Sequence, residues 1–182
     1  LVNVARAYYL GVEGQGAPAS GSFIDAIGAL YAVAFTVKMA KKAAGVDYTV
    51  CKLEALWWVD PHPVGADFLT TPKEAWHWKV LIRTPDFITK SDLSAAVKAL
   101  LAKGKLATVK RVERFALVEG RCVQMLHVGA YADEPASIAR MVAFTRECGL
   151  HLRGTHHEIY LSDPGRVAAA KLRTILRIPV GS

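Results

Sequence analysis

The spacing of apolar residues along the chain predicts strands that alternate with long helices. Residues 7–14 have the apolar and small side chains of a strand. Five apolar residues then recur on one face at helical spacing: Phe23, Ile27, Leu30, Ala34 and Val37. Ser22 and Asp25 resemble a capping box, and Gly45 is typical of a helix stop. The pattern therefore predicts a helix over about 22–43.

The same order of elements returns in the second half of the chain. A strand over 122–128 is followed by Asp133 as a helix cap and Pro135 in the first turn. Residues at helical spacing again share one face: Ile138, Met141, Val142, Thr145 and Cys148. Gly149 then ends this helix as Gly45 ends the first.

The next strands repeat as well. Glu54 lies nine positions after Gly45, and Glu158 lies nine positions after Gly149. Both glutamates fall within apolar strands, predicted over 48–59 and 155–161. Each unit closes with a similar strand, 81–85 in the first and 175–179 in the second. The sequence thus predicts two copies of one βαββ unit.

A helix over 86–103 is expected to link the two units, with Gly104 after it. A hairpin should follow, in which a strand over 109–117 turns at Glu119 and Gly120 and pairs with a strand over 121–128. The predicted fold is α+β, an antiparallel sheet with pseudo-twofold symmetry and helices packed on one side. We expect one domain over 1–182: a first unit over about 5–86, a linker helix and hairpin strand over about 87–120, and a second unit over about 121–180.

Composition narrows the class of protein. Hydrophobic residues make up 52% of the chain and charged residues 21%, which excludes disordered and fibrous proteins. The net charge of +7 would suit nucleic acid, but the basic residues cluster thinly and no RNA-binding aromatic motif accompanies them, so nucleic acid is not an expected partner. Three scattered cysteines indicate neither a disulfide framework nor a zinc site. We expect a cytoplasmic protein without a membrane segment, because the apolar run 23–37 is too short and carries Asp25.

Four tryptophans lie in two strands predicted to pair across a loop over 61–71: Trp57, Trp58, Trp76 and Trp78. Alternation places Glu54, Leu56 and Trp58 on one face of the first strand, and Trp76 with Trp78 on one face of the second. Indole rings offer flat apolar area and a negative π-face, which suits planar or cationic ligands. The alternative for each tryptophan is a place in the core.

A second group of candidate residues is the string His156-His157-Glu158-Ile159-Tyr160. A carboxylate in so apolar a strand must be paired, protonated or open to a cation. Arg83, Arg177 or a histidine is the expected partner, and a purely structural ion pair is the alternative. We expect no metal, because adjacent strand residues point apart. Motifs for a nucleophilic serine or a dinucleotide are missing from the sequence, so no cofactor is expected.

These strings resemble the GyrI-like small-molecule-binding domains, especially the longer stand-alone members. The matching segments cover nearly the whole chain: 54–58, 76–78, 119–120, Gln124, 127–131, 156–164 and 171–179. The resemblance implies a duplicated βαββ fold, as in the drug-binding domains of some bacterial transcription activators. It also implies a ligand held between the units, with Glu158 meeting apolar, cationic and often planar drugs. Some stand-alone members hydrolyse cyclopropane-bearing DNA-alkylating natural products instead.

The leading hypothesis is multidrug-type binding of apolar organic cations, which suits a role in drug resistance. The expected ligand-binding residues are Glu54, Trp57, Trp58, Trp76, Trp78, Tyr31, Phe35, His127, Tyr131, His156, Glu158 and Tyr160. The alternative is a hydrolase that opens cyclopropane rings, with Glu158, Glu54 and Trp58 as the catalytic candidates. A third class is a regulatory protein that acts by contact through the basic hairpin.

Overall fold

The computed structural model describes residues 1–60, 70–105 and 107–182. The strands are β1 (Val2–Val4), β2 (Ala7–Gln15), β3 (Leu53–Trp58), β4 (His77–Thr84), β5 (Glu113–Leu117), β6 (Gly120–Val128), β7 (His151–Leu152), β8 (His156–Tyr160) and β9 (Arg173–Gly181). The helices are α1 (Gly21–Ala43), α2 (Lys90–Ala102) and α3 (Glu134–Glu147). Most of the connection predicted over 61–71 lies outside the described residues.

The predicted fold class is confirmed: a curled antiparallel sheet, a half-barrel, carries three α-helices on one side. The strand order is β1-β6-β9-β8-β3-β4-β2-β5, and the short β7 pairs with β9. The order β2-β4-β3 in the first half therefore corresponds to the order β6-β9-β8 in the second half. The two halves meet where β3 pairs with β8.

The predicted hairpin between the strands over 109–117 and 121–128 is wrong. Strand β5 pairs with β2, whereas β6 pairs with β1 and β9. The β1–β6 and β2–β5 ladders share one register, so residues 2–11 run antiparallel to residues 113–122 with a break in the middle. Glu119 and Gly120 thus mark a bend in an extended segment, where Gly120 has φ 69°. This interrupted ladder draws the two ends of the strand order together.

Several element boundaries also differ from the predictions. Strand β3 begins at Leu53 instead of residue 48, and α2 begins at Lys90 with Thr89 and Asp92 forming a full capping box. Helix α1 is capped by Ser20, whose hydroxyl accepts from the backbone N–H of Phe23 at 3.4 Å. The predicted Ser22–Asp25 box does not form, because Ser22 already lies inside the helix.

Helix α1 packs on the sheet through small and apolar residues at helical spacing: Phe23, Ala26, Ala29, Leu30, Val33, Ala34 and Val37. By length and composition alone it is apolar enough to cross a bilayer, with 39% of the apolar window buried inside the protein. A core helix of a soluble protein has the same composition. Here the buried stripe contacts β2 and β4, and α2 packs beside it.

The register of β3 against β8 places the two glutamates on opposite faces of the sheet. Glu54 pairs with Ile159, and Glu158 pairs with Ala55. Paired residues share a face, and successive residues on a strand alternate between faces. Glu158 therefore points to the helix-covered face with Trp57, while Glu54 points to the other face with Leu56. The equal spacing of the glutamates from Gly45 and Gly149 did not reveal this difference.

Gly14 is required where β2 passes over Trp78. The two residues are paired across the strands, and a Cβ added at Gly14 would lie 2.3 Å from the nearest ring carbon. The Trp78 ring is fully buried and packs edge-on against Phe23, with 5.1 Å between the ring centroids. The ring therefore has no room to retreat, and any side chain at this position displaces it.

We expect Gly14→Ala to lower the free energy of unfolding by about 1–3 kcal/mol, because the added methyl overpacks a rigid core. Gly28→Ala is the matched control, since Gly28 is an exposed helical residue with no atom within 4 Å of an added Cβ. That substitution should stabilise the protein by roughly 0.5–1 kcal/mol. Urea denaturation measures both, and two changes of the same sign would contradict the packing argument.

Candidate functional site

A cavity of about 1020 Å³ lies on the helix-covered face of the sheet, above the junction of β3 and β8. Its walls come from α1, β3, β8, the start of α3 and residues 162–164. The aromatic side chains of the lining are Phe23, Tyr31, Trp57, Trp76, Tyr131 and Tyr160. The charged and carboxyl side chains are Lys52, Lys73, Glu134, Glu158 and Asp163. Both halves of the protein therefore contribute to one aromatic cavity.

Glu158 is the anchor of a hydrogen-bond chain in the cavity wall. Its side chain is buried, with His156 Nε2 at 3.2 Å from Oε1. The Tyr160 hydroxyl donates to Oε2 at 2.7 Å, and Trp57 Nε1–H donates to the Tyr160 oxygen at 3.3 Å. Alternation on β8 produces this arrangement, since His156, Glu158 and Tyr160 share a face. The predicted histidine partner is therefore present, and it is His156.

Burial acts to raise the pKa of Glu158, because a charged carboxylate loses its hydration. Hydrogen bonds and charge from His156, Tyr160 and Trp57 outweigh burial and hold the pKa of Glu158 below its ordinary value. Glu158 is therefore a carboxylate at neutral pH. The same burial, together with the Glu158 charge, keeps the pKa of Tyr160 well above its ordinary value.

Glu134, the first residue of α3, is a second buried carboxyl group in the cavity. Burial raises the pKa of Glu134 to about 9, and the charge and hydrogen bond of neighbouring Glu158 add to the shift. Its Oε1 atom has no hydrogen-bond partner within the described residues. The pair therefore holds one proton at neutral pH, with Glu158 as the carboxylate and Glu134 as the acid.

The family model of the GyrI-like small-molecule-binding domain matches residues 1–180, and the aromatic cavity between the two halves is in keeping with that description. The chain belongs to the GyrI-like family.

Solved structures similar to this GyrI-like domain include two from Listeria innocua. An uncharacterized conserved protein is 36% identical, with a TM-score of 0.90, over 99% of this chain and 90% of that chain. A protein described as a hydrolase is 34% identical, with a TM-score of 0.86, over 99% of this chain and 90% of that chain. The EcmrR C-terminal domain shares the fold, at 10% identity and a TM-score of 0.60 over 100% of this chain and 95% of that chain. A comparison with curated proteins gave no match.

Half of the residues predicted for the ligand site border the cavity of this GyrI-like domain: Tyr31, Trp57, Trp76, Tyr131, Glu158 and Tyr160. They come from α1, β3, β8 and the segments that precede β4 and α3. The rings contact one another as well as the cavity. Trp57 packs on Trp76 with 5.7 Å between centroids, and Tyr131 packs on Tyr160 at 5.9 Å. Trp76 lies just before β4 instead of within it.

Glu54 and Trp58 do not border the cavity, which corrects their expected place in the site. Both side chains point to the opposite face of the sheet, because β3 alternates and Trp57 takes the cavity side. Trp58 instead stacks on His77, with 5.7 Å between the ring centroids. The strand could present only one of its two adjacent tryptophans to a ligand.

The other predicted ligand-site residues also lie outside the cavity lining. Trp78 is covered by Phe23 in the core, and Phe35 lies one turn beyond Tyr31 with half of its surface exposed to solvent. His127 joins β6 to α3 through Ser137 Oγ at 2.9 Å. His156 is fully buried behind Glu158 and acts on the cavity through that carboxylate.

Glu54 belongs to a buried ion cluster on the opposite face. His157 lies 2.9 Å from Glu54 through Nε2 and 2.9 Å from Glu119 through Nδ1. Arg177 Nη1 donates to Glu119 Oε2 at 2.9 Å. Burial acts to lower the pKa of His157, but its bonds to the two glutamates raise that pKa overall. Two cations thus balance two carboxylates, and this face of the sheet has no unpaired charge among these four groups.

Sequence reasoning missed Glu134. An acidic residue in the first turn of a helix is ordinarily explained by the helix dipole, and the sequence pattern predicts Asp133 as the cap. Asp133 makes no side-chain capping bond, and Glu134 is buried against Glu158. Helix α3 packs on β6 and β7, and this tertiary packing brings its first residue next to Glu158, so no local spacing signals the pair. The helical spacing likewise predicts Phe23 and Ile27 on the core face of α1, and both also border the cavity.

We expect Glu134→Gln to stabilise the protein, and increasingly so as the pH rises. The folded-state pKa of Glu134 lies above its unfolded value of 4.5, so the native state binds the extra proton between these values and loses stability as pH rises through them. The variant should match wild type near pH 5 and exceed it by about 1–3 kcal/mol at pH 8. Glu147→Gln, an exposed change on the same helix, is the control. Urea denaturation at several pH values across this range measures the free energy of unfolding of both proteins. A difference between them that stays constant with pH would contradict a buried, protonated Glu134.

Proposed function

We propose that this GyrI-like domain binds apolar, planar organic cations in the cavity, with Glu158 as the counter-charge. The observation that supports the proposal is a buried carboxylate surrounded by aromatic rings. A carboxylate hydrogen-bonded to His156 and to the Tyr160 hydroxyl stays ionised. Because it is buried, it attracts a cation more strongly than it would in water. The rings supply apolar area and negative π-faces to the same ligand.

The charged groups at the mouth of the cavity do not cancel this preference. Lys52, Lys73 and Asp163 are exposed, so solvent and salt screen their fields. Lys73 already lies over the Trp76 ring, 5.8 Å from its centroid. Glu158 is only 7% exposed and dominates the field inside the cavity. We also propose a cytoplasmic location, where the exposed thiols of Cys51 and Cys148 remain reduced, and a role in resistance to toxic cations.

Ethidium, a planar and permanently charged dye, tests the proposal. We expect it to bind with micromolar affinity, to gain fluorescence and to quench the emission of Trp57 and Trp76. At pH 6, where Glu134 holds its proton in the empty cavity, Glu158→Gln should weaken binding about 10- to 100-fold because a charged hydrogen-bonding partner is lost. Glu147→Gln should leave binding unchanged. A wild-type protein that does not bind the dye, or a Glu158→Gln variant that binds equally well, would refute the proposed site.

We propose as a second function the hydrolysis of strained cyclopropane rings in apolar alkylating compounds. The pairing of an acid with a carboxylate favours it, as does the similarity to a protein described as a hydrolase. Glu158 would accept a proton from water as the water oxygen bonds to a ring carbon. Glu134 would give its proton to the atom that receives electrons from the breaking carbon–carbon bond. One water molecule is added in total.

Mass spectrometry after incubation with a cyclopropane-bearing alkylator separates the two functions. A hydrolase yields a product heavier than the substrate by one water, and Glu134→Gln or Glu158→Gln should slow its formation about 10²- to 10⁴-fold. Glu147→Gln should have the wild-type rate. Substrate recovered intact from a protein that binds it would leave binding alone as the function.

A further inference from the structure

We propose that cation binding in the cavity releases the proton held between Glu134 and Glu158, so that Glu134 makes the preference for cations over neutral molecules depend on pH. This inference rests on the proposed binding function and adds a specificity-determining residue to it. A proton and an organic cation would then be alternative occupants of one pair of carboxyl groups.

The two carboxyl groups differ in their hydrogen-bond partners. Glu158 is held by His156 and by the Tyr160 hydroxyl, which in turn accepts from Trp57 Nε1–H, and these bonds fix it as the permanent carboxylate. Glu134 is equally buried, at 6% exposure against 7%, yet its Oε1 is unpartnered within the described part of the chain. Both side chains border the cavity. Glu134 is therefore the group that can lose its proton when a ligand arrives.

Electrostatics gives the direction of the effect. Two adjacent buried carboxylates repel each other, so the empty cavity keeps one proton. A cation that enters the cavity offsets the Glu158 charge and lowers the cost of ionising Glu134. The ionised Glu134 then attracts the cation in return, because linkage is reciprocal. A neutral ligand supplies no such charge and leaves the proton in place.

Other titratable groups face this pair, and their contribution to any pH dependence of binding must be distinguished from that of the pair. They are His156 and Tyr160 on β8, Tyr131 before α3, His127 on β6 next to α3, and Asp163, Lys52 and Lys73 around the cavity. Burial raises the pKa of both tyrosines, so they stay neutral near pH 7. Histidines can change charge between pH 6 and 8. A comparison of wild type with Glu134→Gln removes their contribution, because both proteins contain the same histidines.

The experiment titrates two probes that share one ring system at pH 6, 7 and 8. Ethidium carries a permanent charge, and phenanthridine is its uncharged parent ring. In wild type and in Glu147→Gln, the Kd for ethidium should fall by up to about tenfold for each pH unit, as expected when one proton leaves per ligand bound. In Glu134→Gln this dependence should disappear. The Kd for phenanthridine should stay constant with pH in all three proteins.

Calorimetry of wild type with ethidium, in two buffers of different ionisation enthalpy, counts the released protons without any variant. We expect up to about one proton per ethidium at pH 7. Ethidium binding with no proton release would overturn the inference and leave the proposed function standing, and so would an unchanged pH dependence in Glu134→Gln. Failure of wild type to bind ethidium would overturn both. If Glu134→Gln does not fold, the proton count decides.

Discussion

The pairing of β3 with β8 joins the two halves of the sheet, and its register decides which side chains share a face. Glu158 stands opposite Ala55 and Glu54 opposite Ile159, so the two glutamates point in opposite directions. A register shifted by one residue would move every side chain of a strand to the other face. The cavity, its aromatic wall and the buried ion cluster behind it all follow from this one alignment.

The two faces of the junction handle buried charge differently. On the closed face, His157 and Arg177 neutralise Glu54 and Glu119, so that the cluster is internally satisfied. On the cavity face, a proton on Glu134 serves that purpose in the absence of a ligand. A buried ion cluster whose charges already balance gains little from a charged ligand. A carboxyl pair that shares one proton keeps one negative charge and can still attract a cation. The same residue type is thus structural on one side of the sheet and suited to binding on the other.

The sequence predicted what depends on local periodicity and missed what depends on strand pairing across the chain. Helical spacing located α1 and α3, and the repeat gave the α+β class with helices on one side. The Glu119-Gly120 pair suggested a hairpin, but a glycine bend within an extended segment has the same local residues as a tight turn. Alternation correctly predicted that Trp57 and Trp58 point to opposite faces of the sheet, but it could not show which of them faces the helices. Glu134 lies in the site only because α3 begins beside β8, which no local pattern encodes.

The position of the cavity above the junction has a mechanical consequence. Helix α1 and β3 of the first half form one wall, and β8 with the start of α3 in the second half forms the other. Neither half alone encloses the cavity. A molecule bound in the cavity would contact both halves at once, so separating β3 from β8 would also require the release of that molecule.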